Sequence, residues 1–526
     1  MKSFFVTTAI DYTNAAPHIG HAYEKILADV IARYRRLKGE PTFFLTGVDQ
    51  HGQKVQQAAQ REGVPEEKFV RETTEKFVAL WKKLDVSYDA WAATTDPLHT
   101  KCVQKILQAL YDQGEIYKAT YRGFYSVRQE QFLTDKERGS DGTFGPEWGE
   151  VMELEEENWY FRLAKHREWL LDFLDGHGDC VSPAFRQQEL RNAAEKLAGD
   201  LSISRPKSRL SWGIEMPFDP SCVTYVWFDA LVNYISFAGY LRDEAAFKAR
   251  WPALHVIGKD ILIPAHGIYW LAMLKAMGFA DPEMPRFLVH GYVLVEGDKM
   301  SKSLGNIRDP NTFADTFGVE ALRYYLMRDC VVGQDMDFTD ERLVQRYNSD
   351  LANGLGNLLN RTLSMAHRYR VGKLRKPDVK DERPAGLGWP APFDDLRLGI
   401  TQNEVENYRE AMERNQIHLG LQAAFQIVQY CNSAIEVWAP WRLAKDPNKS
   451  DALDAALYCL AELLRIVSIL IFPVMPRAAG AIFEQLAVRE EPRLSDTQWG
   501  LLADGHLLGK PAPVFPRIET VEKDGQ

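Results

Sequence analysis

The sequence predicts an α/β protein whose parallel sheet is split by an inserted subdomain and followed by an all-α helical bundle. Apolar strands alternate with helices in residues 1–115 and again in 201–298, as expected for a parallel sheet. Between them, residues 116–200 combine short aromatic segments with a Gly- and Glu-rich middle, which indicates an insertion. Beyond Asp340 the hydrophobic pattern is helical throughout.

Composition narrows the class of protein further. The chain has 526 residues, enough for three or four domains, and 45% hydrophobic with 26% charged residues is ordinary for a folded protein. A net charge of −10 argues against indiscriminate nucleic-acid binding. Six dispersed cysteines suit a reducing cytosol. Charged residues and Pro473 interrupt the most apolar helix, around Leu457–Val474, so we expect no membrane span.

The first strand and the first helix meet at a histidine-rich motif. Ser3 to Ile10 is apolar and β-branched, which predicts a buried strand, and apolar residues from Tyr23 to Leu37 recur at helical spacing. The motif PHIGH at 17–21 therefore lies at a helix start, where free N–H groups and the helix dipole attract phosphate. The imidazoles of His18 and His21 add hydrogen-bond donors. A helix start with two solvated histidines is the alternative at this point.

Two further polar segments follow predicted strands. Strand 41–47 delivers Asp49 at its carboxyl end, where an acid suits an ammonium group or a ribose hydroxyl. A carboxylate that caps the next helix explains Asp49 equally well. A strand predicted over Arg286–Val295 leads through a turn to the sequence KMSKS at 299–303, whose two lysines suit a polyphosphate leaving group. Taken alone, a solvated basic loop explains that segment better.

The remaining elements complete the expected fold. A strand is predicted over Leu254–Gly258, and a helix opens at Tyr225–Ala230. A Pro/Gly-rich connector at 377–392 separates the first two helices of the bundle. The predicted bundle helices are Leu343–Tyr369, Leu396–Arg414, Gln416–Val437, Ala452–Ile471 and Arg477–Leu486.

Together these motifs resemble those of class I aminoacyl-tRNA synthetases, because HIGH at 18–21 and KMSKS at 299–303 occur in that order and in that setting. Within the class, the chain resembles the methionyl-tRNA synthetase family over nearly its whole length. Leucyl, isoleucyl and valyl enzymes carry a larger editing insertion, for which this chain has no room. The segments that carry the closer resemblance are Ile10-Asp11-Tyr12, Thr46–Gly52 (TGVDQHG), Asp200–Pro206 (DLSISRP), Val226–Ala230 (VWFDA), His290-Gly291-Tyr292 and Ala439-Pro440-Trp441.

The resemblance implies a role for each site residue. His18, Gly20 and His21 are expected to bind the ATP phosphates, and Lys302, assisted by Lys299, to neutralise the departing pyrophosphate. Asp49 is expected to bind the α-ammonium group of methionine. The residues implied to line the methionine pocket are Ile10, Tyr12, Trp227, Ala230, Tyr234 and His266. Those implied to read the CAU anticodon are Asn357, Arg361 and Trp441.

The resemblance also implies the reaction and the domains. Methionine, ATP with Mg2+ and tRNA(Met) are the expected substrates and cofactor of a two-step ligase that forms methionyl-adenylate. The expected parts are a Rossmann-like catalytic domain, an inserted connective subdomain, the KMSKS loop with a stem-contact region and an anticodon-binding domain, at 1–115 with 201–298, 116–200, 299–342 and 343–526. No tRNA-binding domain follows the bundle, so a monomer is expected, and the cysteines place it in the cytoplasm.

Three other functions compete with this interpretation. Another class I aminoacyl-tRNA synthetase shares both signature motifs. A catalytically inactive tRNA-binding paralogue shares the bundle, but the loss of His21 or Lys302 would have indicated it, and both are present. Small-molecule adenylyltransferases share a HIGH-like motif, but they are far shorter and lack the bundle.

The chain departs from the family pattern in two places. The segment Asp260–Trp270 is one residue longer than a common family form, which affects the position of His266. The inserted subdomain has Ser126 and Gln129 where many members carry a zinc-binding Cys-x-x-Cys pair. A structural zinc site needs four closely placed thiolate or imidazole ligands, so no metal site is expected here. The aromatic residues expected to replace zinc as a core are Tyr125, Phe132, Trp148, Trp159 and Phe161.

The first prediction concerns this missing metal. Elemental analysis of the purified protein should find well under one zinc per chain, and treatment with a chelator should leave activity in excess Mg2+ unchanged. Stoichiometric zinc whose removal abolishes activity would contradict the prediction.

Overall fold

The computed structural model describes residues 2–126, 131–133, 138–139, 141–300, 305–377, 401–489 and 491–518. The chain divides into two compact units. The first contains residues 1–16, 43–79 and 88–289, and the second contains 17–42, 80–87 and 290–526. The domain boundaries expected from the sequence stay predictions.

A seven-stranded sheet, counted over the described residues, is the centre of the first unit. Phe4–Thr8 pairs in parallel with Leu254–Gly258, and Thr42–Asp49 pairs in parallel with Ala90–Ala93. These strands are rich in buried apolar residues, as in sheets covered by helices on both faces. The predicted α/β class is therefore confirmed. The order across the sheet is Asp11–Tyr12, Thr42–Asp49, Phe4–Thr8, Leu254–Gly258, Arg286–His290 and Val181–Ser182, with Ala90–Ala93 beside Thr42–Asp49.

Helices connect and cover these strands. The helix Val226–Ser236 is buried along almost its whole length, which places its side chains in the core. The other helical segments in this part of the chain are Gln53–Glu62, Glu66–Lys83, Pro97–Asp112, Pro146–Trp148, Leu163–His166, Arg167–Gly176, Ala184–Glu195, Glu244–Arg250, Lys259–Ile261, Leu262–Trp270, Leu271–Ala276 and Asp281–Glu283.

The inserted region forms its own antiparallel sheet, but only in part of the predicted range. Strands Ile116–Ser126 and Val151–Phe161 pair along their full lengths, flanked by Gln131–Leu133 and Leu201–Ser202. The later strand Val181–Ser182, inside the predicted subdomain, instead pairs in parallel with Arg286–His290 in the main sheet. A second antiparallel sheet, formed by Ser204–Pro206, Asp219–Thr224 and Glu215–Met216, follows the insertion.

The aromatic residues expected to stabilise the inserted region fall into two groups. Tyr125 and Phe161 are buried, and the guanidinium of Arg209 lies 4.5 Å from the centre of the Tyr125 ring. Trp148 and Trp159 are half-buried, and the side chain of Phe132 lies outside the described residues. The predicted aromatic core therefore forms only in part.

The second unit begins with the helix Ile19–Leu37 and continues with the helical bundle. The predicted bundle helices are present, with the first built of three consecutive segments; residues 378–400, which include most of the predicted connector, lie outside the described residues. Described helices in this unit do not meet the length and hydropathy needed to cross a membrane, and the same holds for the first unit. The helical segments are Pro310–Phe317, Val319–Asp329, Asp340–Arg346, Tyr347–Gly356, Asn357–Arg370, Thr401–Glu413, Ile417–Trp438, Pro440–Leu443, Pro447–Lys449, Ser450–Ile471, Pro476–Gln485 and Leu494–Thr497.

The single strand predicted over Arg286–Val295 is wrong. The chain forms Arg286–His290 in the main sheet and then Val293–Val295 in a small sheet with Asp298–Lys299 and Met336–Asp337. The break is at Gly291, where an added Cβ would lie 2.1 Å from the carbonyl oxygen of Gln334. This close approach of backbone requires glycine and turns the chain out of the first sheet.

A buried ion pair holds the first helix of the second unit in place. The carboxylate of Asp29 accepts a hydrogen bond from Arg323 Nη2 at 2.6 Å and another from Arg33 Nε at 2.9 Å. Arg323 is fully buried and also donates to the carbonyl oxygens of Leu84 and Val474. Burial alone raises the pKa of Asp29, but the charges of Arg323 and Arg33 and hydrogen bonds from Ser87 lower the pKa below its ordinary value.

The second prediction is that Asp29→Asn destabilises the protein by about 3–5 kcal/mol, because the buried guanidinium of Arg323 loses its counter-charge. Urea unfolding followed by circular dichroism measures the loss. In the parent, the lowered pKa means that this stabilisation is complete above the ordinary carboxyl pKa and disappears as pH falls through the lowered one.

The matched control is Asp315→Asn, which removes a carboxylate that is 70% exposed and pairs with Lys83. Exposed pairs contribute about 0–1 kcal/mol, so a small effect is expected. Equal destabilisation by the two variants would contradict the assigned importance of the Asp29–Arg323 pair.

Candidate active site

Two histidines cap the helix Ile19–Leu37 reciprocally. The Nδ1 atom of His18 accepts a hydrogen bond from the backbone N–H of Gly20, and the Nδ1 atom of His21 accepts one from the backbone N–H of His18, each at 3.1 Å. The ring centres are 3.9 Å apart. An added Cβ on Gly20 would lie only 3.0 Å from His18 Cε1, so a side chain there would disturb the capping ring.

This capping pattern determines which nitrogen of each imidazole carries the ring proton. Because each Nδ1 accepts a hydrogen bond from a backbone N–H, Nδ1 carries no proton and the ring proton lies on Nε2. Burial, followed by Coulombic interactions with His18 and Lys25, lowers the pKa of His21 well below the ordinary value. His21 is therefore a neutral donor at physiological pH, next to the positive end of a helix dipole. An anion such as phosphate suits this helix start.

The structure describes only one of the two lysines of the KMSKS segment. Lys299 lies on the short strand Asp298–Lys299, not in the polar loop expected, with its ammonium group 4.1 Å from the centre of the Tyr292 ring. Lys302 lies outside the described residues. Both assigned roles stay predictions.

One cavity of about 370 Å³ in the first unit is lined by every residue that was predicted to line the methionine pocket. The helix Val226–Ser236 supplies three of them at helical spacing on one face. The carboxylate of Asp49 lies at the cavity wall, and its Oδ1 atom accepts a hydrogen bond from the backbone N–H of His51 at 3.3 Å. The predicted residues that the cavity brings together are Ile10, Tyr12, Asp49, Trp227, Ala230, Tyr234 and His266.

His266 is held in a defined orientation. Its Nδ1 atom donates to the carbonyl oxygen of Ile261 at 2.8 Å, so Nε2 is the acceptor for the Tyr234 hydroxyl, also at 2.8 Å. The Trp227 ring meets the imidazole edge-on, with ring centres 6.1 Å apart. The segment Leu262–Trp270 has π-helical hydrogen bonding and a kink at Ile263, whose backbone angles are not helical. A π-turn contains one residue more than an α-turn. His266 lies in this segment and lines the cavity, as expected from the sequence.

Sequence reasoning missed three polar residues at the same cavity, namely Lys54, Asn233 and Asp260. Asp260 lies two residues after the strand Leu254–Gly258, in the short helix Lys259–Ile261. It therefore occupies a position equivalent to that of Asp49, at the carboxyl end of a parallel strand, where ligands bind. That signal was present in the sequence, since the strand itself was predicted with the observed bounds.

A second group of predicted residues lies in the helical part of the chain. Arg361 lies one turn after the exposed Asn357 on the helix Asn357–Arg370, and its guanidinium is 5.9 Å from the centre of the Trp441 ring. It also forms an ion pair with Glu436 at 2.7 Å. The structure thus brings Arg361 and Trp441 together, with an acidic neighbour that sequence reasoning missed.

Comparison with known families identifies the relationship. The family model described as "tRNA synthetases class I (M)" matches residues 4–142 and 148–363 of the sequence. A second family model, "Anticodon binding domain of methionyl tRNA ligase", matches residues 390–525. The chain belongs to the methionyl-tRNA synthetase family.

Individual members of the methionyl-tRNA synthetase family match over nearly the whole chain. A methionine–tRNA ligase of Caldanaerobacter subterraneus is 41% identical and covers 99% of this chain and 80% of that protein. The corresponding ligase of Deinococcus radiodurans is also 41% identical and covers 98% and 75%. A Mycobacterium tuberculosis methionyl-tRNA synthetase structure, in complex with methionyl-adenylate, superposes with a TM-score of 0.90 at 38% identity, covering 98% of this chain and 100% of that chain.

In this family member, the part of the chain that the structure describes holds no cluster of three or more potential metal ligands. Ser126 donates its hydroxyl to the carbonyl oxygen of Trp148, and Gln129 lies outside the described residues. Cys102 and Cys180 are buried thiols that contact the carbonyl oxygens of Tyr240 and Pro285. The absence of zinc stays a prediction.

The third prediction tests the orientation of His266. Tyr234→Phe removes the hydroxyl that donates to His266 Nε2, and such a bond contributes about 0.5–1.5 kcal/mol. The KM for methionine in pyrophosphate–ATP exchange should therefore rise about 2- to 13-fold, with a smaller change in kcat. Tyr240→Phe, the same change in a tyrosine outside this cavity, serves as control. An unchanged KM in Tyr234→Phe would contradict the assignment.

Proposed function

We propose that this chain attaches methionine to tRNA(Met) with a CAU anticodon, by way of methionyl-adenylate. The observation that supports this most strongly is the cavity in which one acidic residue, Asp49, shares the wall with the aromatic side chains of Tyr12, Trp227 and Tyr234. A carboxylate complements the ammonium group of an amino acid. Aromatic rings complement the polarisable sulfur of a thioether. Methionine carries both groups.

In the first step, the carboxylate of methionine attacks the α-phosphate of ATP and pyrophosphate leaves. His18 and His21 would donate hydrogen bonds to phosphate oxygens from Nε2, where the capping pattern leaves their protons. Lys302, with Lys299, would neutralise the charge that develops on pyrophosphate. The protein supplies no nucleophile, so its contribution is positioning and charge stabilisation.

Mg2+ fits this site only as a partner of ATP. This ion is usually bound through substrate phosphates and one or two carboxylates, and the described residues offer no larger ligand cluster. Bound to the nucleotide, it would neutralise phosphate charge. The residues of this chain would then hold the phosphates from the helix start at Ile19.

In the second step, the terminal ribose of tRNA attacks the mixed anhydride, through its 2′-hydroxyl as in class I enzymes. We propose that Asn357, Arg361 and Trp441 read the anticodon. Trp441 offers a ring for stacking, and Arg361, held by Glu436, offers donors to base edges. We further propose that the protein is a monomer and that it is cytoplasmic. The cytoplasmic location is supported by six cysteines that are all buried and free of disulfides.

One assay distinguishes this proposal from two alternative functions. Pyrophosphate–ATP exchange with each of the twenty amino acids should respond to methionine alone. Exchange with another amino acid would indicate a different class I specificity. No exchange with any amino acid, in a protein that binds tRNA, would indicate an inactive tRNA-binding paralogue.

The fourth prediction separates the two steps. Trp441→Ala should weaken charging of tRNA(Met) while methionine-dependent exchange, which needs no tRNA, continues. Stacking on one base contributes roughly 1–3 kcal/mol, so kcat/KM for tRNA should fall at least about fivefold. Trp499→Ala, in another half-buried tryptophan of the second unit, is the matched control. Equal charging by the parent of tRNAs with and without CAU would refute the assignment.

A further inference from the structure

A second cavity, of about 770 Å³, opens beside the first in the same unit. The chain after the strand Thr42–Asp49 separates the two. Asp49 lines the first cavity, whereas the next two residues, Gln50 and His51, line the second. Successive residues span about 3.3–3.6 Å, so groups bound in the two cavities can lie within one nucleotide's reach of each other. Neither volume is unusual for a ligand site.

A buried relay orients His51 in this second cavity. Its Nδ1 atom is 2.7 Å from Asp229 Oδ2, and the other carboxylate oxygen of Asp229 is 2.8 Å from His99 Nε2. His99 in turn contacts the hydroxyl of Ser236 at 2.8 Å. Asp229 and His99 are each 1% exposed, so this arrangement is rigidly packed. Although burial raises the pKa of Asp229, the two imidazoles lower it below its ordinary value, and the residue stays a carboxylate.

The relay leaves one atom of His51 for a ligand. Among the residues that the structure describes, none hydrogen-bonds to His51 Nε2. The Trp212 ring meets His51 edge-on with centres 5.6 Å apart, and its indole N–H donates to the carbonyl oxygen of Gln50 at 2.6 Å. A fixed aromatic ring and a fixed imidazole therefore frame the same cavity.

The charges of the cavity select against a phosphate-rich ligand. Three exposed carboxylates and one guanidinium surround it, on Glu67, Glu75, Glu215 and Arg71. The buried part of the wall consists of the polar Gln50 and His51 and the apolar Val70 and Ile214. Such a site disfavours a polyphosphate, whereas a nucleoside offers a base to stack and hydroxyl groups to hydrogen-bond.

We propose that this second cavity binds the unpaired 3′-terminal nucleoside of tRNA. Trp212 stacks on the base, and His51 hydrogen-bonds to the nucleoside through Nε2. Asp229 and His99 are positioning residues that act through His51. The inference rests on the proposed function, because the terminal ribose must reach the carbonyl carbon of an aminoacyl-adenylate whose amino acid lies in the neighbouring cavity.

The experiment compares the binding of two ligands to each variant. Intact tRNA(Met) and the same tRNA trimmed of its 3′-terminal nucleotide are titrated against the parent, Trp212→Ala, His51→Gln and His99→Gln. Trp212→Ala should weaken binding of intact tRNA at least about fivefold and leave binding of trimmed tRNA unchanged. His51→Gln and His99→Gln should show the same selectivity with smaller losses.

His177→Gln is the matched control, since it makes the same change in a half-buried histidine of the same unit whose Nδ1 contacts only the carbonyl oxygen of Phe173 among the described residues. Methionine-dependent exchange by each variant reports a folded first unit. If Trp212→Ala does not fold, His51→Gln carries the test alone. Equal losses for intact and trimmed tRNA, or no loss, in variants that still exchange would overturn the inference while the proposed function stands. A parent without exchange would overturn the proposed function itself.

Discussion

The ion pair between Asp29 and Arg323 is the constraint on which the organisation of the second unit depends. Arg323 is fully buried and joins the first helix to the carbonyl oxygens of Leu84 and Val474. Two buried charges are tolerated only in such complete hydrogen-bonded geometry. The helix held in this way begins at Ile19, with His18 as its N-cap, so the end that we propose to bind phosphate has a direction fixed by a salt bridge about three turns away.

The far end of that helix is fixed by weaker contacts of the same kind. Tyr34 donates a hydrogen bond to Glu413 at 3.0 Å, and Arg35 pairs with the same carboxylate at 3.0 Å. Glu413 is 40% exposed, so solvent screens this pairing more than that of Asp29. The helix is therefore held strongly at its centre by the buried ion pair and more weakly at its end by the partly exposed one. The proposed phosphate site and the contact with the bundle helix Thr401–Glu413 are thus on the same helix but are held with different strength.

Much of the fold could be predicted because local patterns and tertiary structure agree. The strand Leu254–Gly258 and the helix Ile417–Trp438 follow hydrophobic periodicity closely. The predicted strand Arg286–Val295 failed because its break at Gly291 depends on the backbone of Gln334, a residue distant in sequence. The same limit applies to Val181–Ser182, a strand of two residues that only its neighbour in the sheet defines.

The candidate site likewise contains residues that could be predicted from the sequence and residues that could not. Asp49 follows from the end of a predicted strand, whereas Trp227, Ala230 and Tyr234 follow from the resemblance to the family. The Asp229–His99 relay joins residues that are 130 positions apart, and no local pattern indicates it. The tautomers of His18 and His21 also required three-dimensional structure, since the backbone hydrogen bonds decide them.

The π-helix Leu262–Trp270 changes how this cavity can vary during evolution. One residue added to an α-helix rotates everything beyond it by about 100° and would turn a pocket side chain away. A π-turn takes up one added residue locally, and in this segment, which is kinked at Ile263, His266 lies at the cavity wall. We therefore expect an insertion or a deletion at this segment to change the shape of the pocket rather than the fold. Residue spacing in this region is therefore a poor guide to which pocket residues correspond between related proteins. The angular position of a residue about the helix axis is a better guide.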